Sequence, residues 1–161
     1  TLSSSSAASD VYKRQVSNCT NNYGPHQHEE KLIPLIITKA LKNEDLPIYG
    51  DGKNIRDWLY VEDHCEAIMK ILESGNSGET YNIGGNNELS NIQVVEKICE
   101  LLDELKPKED KKSYREQITF VEDRKGHDFR YGLDISKITN GLYILKIDSY
   151  SQSIYKKILI E

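Results

Sequence analysis

Two segments with a distinctive order of residue types constrain this fold more than any other part of the chain. In residues 20–33, TNNYGPHQHEEKLI, an Asn-Asn-Tyr-Gly-Pro turn follows an apolar strand, and a helix then opens with Glu-Glu-Lys. In residues 47–61, PIYGDGKNIRDWLYV, a Gly-Asp-Gly turn precedes a short strand that carries Arg56. Side-chain amides, helix-start N–H groups and a forked guanidinium are groups that hold a sugar diphosphate. The two segments therefore predict a site for such a ligand.

From residue 16 onward the hydrophobic pattern becomes regular and predicts an α/β fold. The residues at 46–49 and 55–60 are expected to form short strands on either side of an Asp51-Gly52 turn. Ser90 or Asn91 is expected to cap a helix whose apolar residues recur at 92, 95, 98, 99, 102 and 105. The other strands are expected at 16–20, 80–83 and 118–121, and the other helices at 31–43, 62–74 (with Ala67, Ile68, Ile71 and Leu72 inward) and 134–140.

Length and charge exclude some classes of function. A chain of 161 residues is expected to form one domain. Its net charge of −5 argues against a nucleic-acid partner, because phosphate backbones are met with an excess of basic residues. No apolar run approaches the ~18 residues of a membrane span, and residues 1–15 lack the apolar centre of a signal peptide. A cytoplasmic location is the resulting prediction.

The cysteines and histidines do not predict a metal or disulfide site. Cys19, Cys65 and Cys99 are isolated within apolar patterns, so they are predicted to be buried free thiols in a reducing compartment. His26 and His28 lie two apart in a loop, and this spacing is weak support for a metal site. We therefore expect no bound metal.

The first fifteen residues, TLSSSSAASDVYKRQ, differ from the rest of the chain. They are rich in serine and show no periodicity, so they are predicted to be a non-native or disordered tail. Residues 10–15 can be encoded by GATGTGTATAAGAGACAG, which resembles the end of transposon adapters used in DNA library preparation. This favours read-through of an adapter over a natural flexible tail.

Seven motifs then occur in a fixed order that is more specific than any one of them. Together they resemble the dTDP-glucose 4,6-dehydratase family of extended short-chain dehydrogenases/reductases, over about residues 16–142. The resemblance implies an α/β substrate-binding part, C-terminal in an extended Rossmann-type enzyme, whose N-terminal NAD-binding core is missing here. The motifs are NNYGP at 21–25, EKLIP at 30–34, PIYG at 47–50, IRDWLYVEDH at 55–64, YNIGG at 81–85, YREQI at 114–118 and DRKGHD at 123–128.

The resemblance gives the first segment a role at both the sugar and the cofactor. Asn21 would hydrogen-bond the sugar nucleotide, and Asn22 would touch the nicotinamide end of NAD. Lys31 and Leu32 would lie along the diphosphate at the start of the helix. A helix N-terminus favours phosphate and Lys31 adds a positive charge, so elementary electrostatics agrees with this role.

The resemblance places the base and the diphosphate on the second segment. Pro47 and Tyr49 would pack on and bond to the thymine base. Arg56 would pair with the diphosphate, with Asn91 nearby, and its two-point fork suits that ligand better than a lysine would. The alternative for Arg56 is a surface ion pair with Asp57, worth about 0–1 kcal/mol. Trp58 is more typical of core packing than of a ligand contact.

The last motif and the C-terminal end depart from the family pattern. Arg124 and His127 would close over the nucleotide, and Lys125 stands where the family has a proline, which should loosen that loop. Residues 143–161 are divergent and truncated, in a region where the family would have its last helix.

The catalytic apparatus implied by the family is absent from this sequence. No G-x-G-x-x-G cradle for NAD occurs, and the family's Asp-Glu acid–base pair and Tyr-x-x-x-Lys pair are missing. Tyr49 and Lys53 have the spacing of the second pair, but the glycines between them predict a turn instead of a helix. No catalytic residue is therefore assigned, and the chain alone is expected to be inactive.

The resemblance implies an intact parent that is a homodimeric lyase. Such an enzyme oxidises C4 of dTDP-glucose with NAD, eliminates water across C5 and C6, and returns the hydride to C6, as in deoxysugar biosynthesis. Two alternatives remain open. The chain could come from another nucleotide-sugar enzyme, such as a UDP-sugar epimerase or decarboxylase, or it could be a non-catalytic nucleotide-sugar-binding module.

Overall fold

The computed structural model describes residues 15–123, 126, 128–135, 143–149 and 152–158, the last two ranges as backbone strands. Helices and strands alternate through most of the described chain, which confirms the α/β class. The helices are α1 (Leu32–Leu41), α2 (Val61–Ser74), α3 (Asn91–Leu105) and a short 3-10 helix (Tyr114–Gln117). The strands are β1 (Val16–Cys19), β2 (Asn21–Tyr23), β3 (Leu46–Tyr49), β4 (Ile55–Tyr60), β5 (Thr80–Ile83), β6 (Glu88–Ser90), β7 (Ile118–Val121), β8 (Arg130–Tyr131), β9 (Tyr143–Ser149) and β10 (Gln152–Ile158).

Strand β4 lies at the centre of the described fold. It pairs in parallel with β2 and β8 and antiparallel with β6. Two further parallel pairs, β1–β5 and β3–β7, flank it. Asp57, Trp58 and Leu59 are consecutive and all buried, so both faces of β4 are covered.

The two faces of β4 contribute to two separate cores. Trp58 belongs to the larger core, between α1, β3, α3 and the 3-10 helix. Leu59 points to the opposite face, as neighbours on a strand do, and packs with Ala67 of α2 and Ile83 of β5. The position of Trp58 in the core confirms its predicted packing role. The larger core contains Ile36, Ala40, Leu46, Ile48, Trp58, Val94, Val95, Ile98, Cys99 and Tyr114.

Local sequence signals explain where the helices begin. Ser90 caps α3 and forms a reciprocal capping box with Gln93, which confirms the predicted cap. In α1, Pro34 occupies the first turn, where its missing N–H costs nothing. The prediction that Leu72 faces inward is wrong, because it is 67% exposed, and Leu105, the last of the recurring apolar residues of α3, is 78% exposed. Leu105 is the last residue of α3, and Leu72 lies outside the α2 surface that contacts β4 and β5.

Both strands predicted on either side of the Asp51-Gly52 turn are present, with the predicted bounds. β3 pairs with β7, and β4 pairs with β2, β6 and β8, so the two strands do not form a hairpin. The turn instead bonds to the start of α3, since Ile92 N donates to Gly52 O at 3.0 Å. Turn residues alone do not specify a hairpin when each flanking strand has a better partner elsewhere.

Two other expectations, on the turn after β1 and on the burial of the cysteines, need correction. Asn22 and Tyr23 lie in β2 and not in the turn, because they pair with Leu59 and Tyr60, and the chain turns only at Pro25. Cys65 is exposed and not buried, whereas Cys99 is buried and Cys19 half-buried. All three are free thiols, as predicted.

The C-terminal end differs from the helix that the resemblance implied. β9 and β10 pair antiparallel, from Tyr143 opposite Ile158 to Ser149 opposite Gln152. Their many isoleucines and tyrosines favour strand over helix. Of the helix predicted at 134–140, Asp134 and Ile135 are non-helical and the rest lies outside the described residues. None of the helices in the described ranges has the length and apolarity needed to cross a bilayer.

Candidate functional site

The turn between β3 and β4 is fixed on the N-terminus of α3. Asn91 N donates to Asn54 O at 3.0 Å, in addition to the bond from Ile92 to Gly52. Gly52 has a φ of +70°, and a Cβ there would lie 2.8 Å from the Cγ2 atom of Ile48. The same Cβ would lie 3.0 Å from the Cβ atom of Ile92 in α3, so glycine suits both this conformation and the close approach to the helix. The arrangement places Asn91 beside the turn that follows Tyr49.

Arg56 is held by main-chain carbonyl groups. Its Nη1 donates to Ile55 O at 2.7 Å, and its Nη2 donates to Asp128 O at 2.8 Å. A guanidinium carries more N–H donors than these two bonds use, so donors remain for a diphosphate. The predicted alternative, a surface ion pair with Asp57, is not what the structure contains, because the Asp57 carboxylate is buried and bonds to backbone N–H groups.

Pro47 and Tyr49 lie on one face of β3. Leu46 and Ile48 are buried on the other face, at 0% and 2% exposure. The alternation leaves Pro47 and Tyr49 half-buried on the side away from the larger core, where a planar group could stack. Their predicted contact with a nucleotide base stays a prediction.

The loop that carries the last motif begins and ends beside the turn. Gly50 N donates to Val121 O at 2.9 Å, and a Cβ on Gly50 would lie 3.1 Å from the Asp123 carboxylate. At the other end, Asp128 O accepts from Arg56 and, at 3.4 Å, from Asn54 Nδ2. The predicted nucleotide-closing residues, Arg124 and His127, lie outside the described residues.

Asn21 and Asn22 occupy β2, beside the C-terminal half of β4. Asn21 pairs with Trp58, two residues from Arg56, which corresponds to about 7 Å along the strand. The Nδ2 atom of Asn22 donates to Cys19 Sγ and to Thr20 O, both at 3.3 Å. Its Oδ1 atom is buried and has no hydrogen-bond partner among the described residues. Such an acceptor would gain from an approaching N–H donor.

The two helix starts differ in what they offer an anion. The first amides of α3 already bond to the turn and to the Ser90 cap. In contrast, α1 begins at Leu32 with no side-chain cap, no acidic residue in its first turn, and Lys31 exposed just before it. This arrangement suits a phosphate at Lys31 and Leu32, and their contact with the diphosphate stays a prediction.

The described residues therefore bring part of the predicted site together. Tyr49, Arg56 and Asn91 lie at or beside the turn at residues 50–54, and Asn21 of β2 lies opposite Trp58 of β4. Lys31 and Leu32 do not belong to this turn. They lie at the start of α1, which packs on α3 and β3.

Sequence reasoning missed Asp57 and Asn54, which are 3% and 7% exposed. A carboxylate within the apolar strand IRDWLY is a usable signal, because a buried charge requires hydrogen-bond partners. Asn54 lies in a turn, where asparagine is common for local reasons, and nothing in the sequence distinguishes it.

The charge pairs near the site are exposed, so each contributes little to the stability of the fold. A hydrogen bond from Lys53 lowers the pKa of Asp51, and the bond to Glu88 raises the pKa of Arg130. Burial lowers the pKa of His64, because desolvation disfavours the charged imidazolium. In the part of the chain that the structure describes, no three His, Cys, Asp or Glu side chains are grouped to hold a metal.

Comparison with known proteins gives consistent matches. A family model described as GDP-mannose 4,6 dehydratase matches residues 6–143. A dTDP-glucose 4,6-dehydratase from Xanthomonas campestris pv. campestris is 59% identical over 126 residues, which are 78% of this chain and 36% of that protein. The structure of a dTDP-glucose 4,6-dehydratase from Bacillus anthracis, in complex with NAD, is 51% identical with a TM-score of 0.68 and covers 78% of this chain and 37% of its own.

A more distant match comes from an epimerase. UDP-glucose 4-epimerase from Thermotoga maritima, solved with UDP-glucose, is 26% identical with a TM-score of 0.67, over 78% of this chain and 38% of its own. The chain thus spans somewhat more than a third of the length of the relatives that it matches.

Proposed function

The chain belongs to the GDP-mannose 4,6 dehydratase family, and on this basis we propose that it is the nucleotide-sugar-binding part of a dTDP-glucose 4,6-dehydratase. The intact protein would convert dTDP-glucose to dTDP-4-keto-6-deoxyglucose and water. It would be a cytoplasmic homodimer that uses NAD. The alternatives are a non-catalytic binding module and another nucleotide-sugar enzyme, and a turnover assay distinguishes them.

The observation that carries the proposal is the setting of Arg56. Carbonyl oxygens of Ile55 and Asp128 orient its guanidinium, and donors remain for a ligand. Asn91 and the turn that follows Tyr49 lie beside it. A forked cation next to amide and aromatic groups matches the chemistry of a nucleoside diphosphate.

In this proposal each side chain binds or orients a different part of the substrate. Arg56 and Lys31 would neutralise the diphosphate, and the start of α1 at Leu32 would lie along it. Pro47 and Tyr49 hold the base, and Asn21 bonds to the sugar nucleotide. Arg124 and His127 would cover the nucleotide from the loop that begins and ends beside the turn. Binding the diphosphate and the base firmly would fix the glucose ring for the reaction.

One described residue, Asn22, has a polar atom that fits the nicotinamide end of NAD. The buried Oδ1 atom of Asn22 has an unused acceptor capacity, which matches a carboxamide N–H donor. When bound, NAD would supply the hydride acceptor and donor, so that no net oxidation remains. The chain itself would orient the nicotinamide end through Asn22, and we assign it no acid or base.

Identity favours a dehydratase over an epimerase. The sequence identity is 51–59% to the two dTDP-glucose 4,6-dehydratases above and 26% to the epimerase, whereas the TM-scores of the two structures are nearly equal. The backbone fold therefore does not distinguish a dehydratase from an epimerase, and the preference rests on sequence identity.

The test uses the full-length protein that contains this chain. Purified protein is incubated with NAD and dTDP-glucose, and the product is analysed by mass spectrometry for the loss of one water. UDP-glucose is supplied in parallel, and its product is analysed by chromatography that separates epimers, because epimerisation leaves the mass unchanged. Loss of water from dTDP-glucose alone is expected. Epimerisation of UDP-glucose would support the rival enzyme, and binding without turnover of either sugar would support a binding module.

A further inference from the structure

Asp57 has a buried carboxylate, and none of the substrate-binding roles above accounts for its burial or its hydrogen bonds. It lies in the middle of β4 and is 3% exposed. Its Oδ2 atom accepts from Gly85 N at 2.9 Å, and its Oδ1 atom accepts from Asn87 N at 2.7 Å. Hydrogen bonds to an ionised acceptor are roughly twice as strong as neutral ones. The carboxylate therefore fixes the loop at residues 84–87.

The loop is shaped to lie against this carboxylate. A Cβ on Gly84 would lie 2.6 Å from Asp57 Oδ2, and a Cβ on Gly85 would overlap the carbonyl oxygen of Trp58. Trp58 N also donates to Asn87 O at 3.1 Å. Two glycines are thus needed for the backbone to approach β4 closely enough to meet both carboxylate oxygens.

The loop joins the two halves of the proposed site. At its start, Ile83 O accepts from Thr20 N at 3.1 Å, one residue before Asn21. At its end it enters β6, which pairs with β4 so that Leu89 lies opposite Arg56. β6 finishes at Ser90, the cap of α3, and Asn91 follows directly. A shift of this loop would therefore move Asn91 relative to Arg56.

We propose that Asp57 is a positioning residue for nucleotide binding. By binding the amides of Gly85 and Asn87, it sets the register of β6 on β4 and so fixes the distance between Arg56 and Asn91. The inference rests on the proposed function, because it needs a nucleoside diphosphate as the ligand. Asp57 itself does not touch the ligand, since its carboxylate is buried beneath the loop.

Asp57→Asn tests this role with little change of volume. The asparagine keeps one acceptor but turns an NH₂ group toward the other backbone N–H, so one bond is lost and two donors oppose each other. The matched control is Asp103→Asn. The Asp103 carboxylate also accepts a backbone N–H, from Tyr114 at 2.9 Å, and the hydroxyl of Ser113 at 2.5 Å. It lies on α3, away from the turn, Arg56 and Asn91.

The full-length protein and both variants are titrated with dTDP at a temperature well below their melting transitions. Both variants are expected to melt at a lower temperature than the parent. Only Asp57→Asn is expected to weaken dTDP binding, by about tenfold, since misplacing a binding group by about 1 Å has effects of this order or larger. For dTDP-glucose, KM should rise by a larger factor than kcat falls.

A folded Asp57→Asn variant that binds dTDP like the parent would overturn the inference, as would equal weakening by Asp103→Asn. If Asp57→Asn does not fold, Gly84→Ala perturbs the same contact from the loop side and is expected to weaken dTDP binding likewise. Unchanged binding in a folded Gly84→Ala variant would also overturn it. A parent that does not bind dTDP refutes the proposed function first, and the inference with it.

Discussion

Replacing Arg56 by alanine should weaken dTDP binding strongly while it changes the stability of the fold little. A hydrogen bond to a charged group is worth about 1.5–3 kcal/mol, so loss of the diphosphate contact should raise Kd roughly 10- to 150-fold. Arg56→Lys should recover only part of this, because one ammonium cannot bond to Asp128 O and to the diphosphate with the same two-point geometry.

The structural cost of the same change is smaller. The alanine removes the donors to Ile55 O and Asp128 O, and Asp128 O keeps a weaker bond from Asn54 Nδ2 at 3.4 Å. The first bond joins neighbouring residues and the second is exposed, so the free energy of unfolding should fall by only about 0.5–1.5 kcal/mol. Binding and stability therefore change by different amounts, and the two effects can be measured separately.

Calorimetric titration of the full-length protein with dTDP, and separately with NAD, measures the binding effect. Arg115→Ala is the matched control, because Arg115 is an exposed arginine bonded to Glu100 at 2.8 Å and lies away from the site. NAD affinity should stay close to that of the parent in all variants. The reasoning is refuted if Arg56→Ala binds dTDP as tightly as the parent does, or if it loses dTDP and NAD together through misfolding.

Three further predictions concern the fold. Ser90→Ala should lower the free energy of unfolding by about 0.5–2 kcal/mol, measured by urea denaturation, because it removes the cap from α3, and a change near zero would contradict the capping role. At neutral pH a thiol reagent should modify exposed Cys65 quickly and buried Cys99 only on unfolding, and fast labelling of Cys99 in the folded protein would disagree. Burial raises the pKa of the Cys99 thiol to about 11, so the stabilising contribution of its neutral form should be lost as pH rises from about 9 through 11. The 161-residue chain alone should aggregate, because β1 pairs only with β5 in the described residues and its Val16 is 55% exposed, and a monodisperse chain with a sharp cooperative melt would argue against this.

The sequence determined the local elements and the type of chemistry. Periodicity and capping signals located α3 and its Ser90 cap, because these depend on residues three or four apart in the chain. The strands at 46–49 and 55–60 were also located correctly, since β-branched and aromatic runs favour extended backbone. The order of the motifs indicated the family, which the comparisons confirm. The nucleotide contacts assigned to individual residues stay predictions.

Only the tertiary structure decided which elements pair and which polar groups are buried. The turn at residues 50–54 does not reveal which strands pair across it. β3 pairs with β7, where Ile118 lies opposite Leu46 and is 72 residues away along the chain. β4 pairs with β6, where Ser90 lies opposite Ile55 and is 35 residues away. Likewise, nothing near Asp57 in the sequence supplies the amides of Gly85 and Asn87. Contacts between distant residues depend on the whole packing arrangement, whereas sequence patterns report only neighbours along one helix or strand.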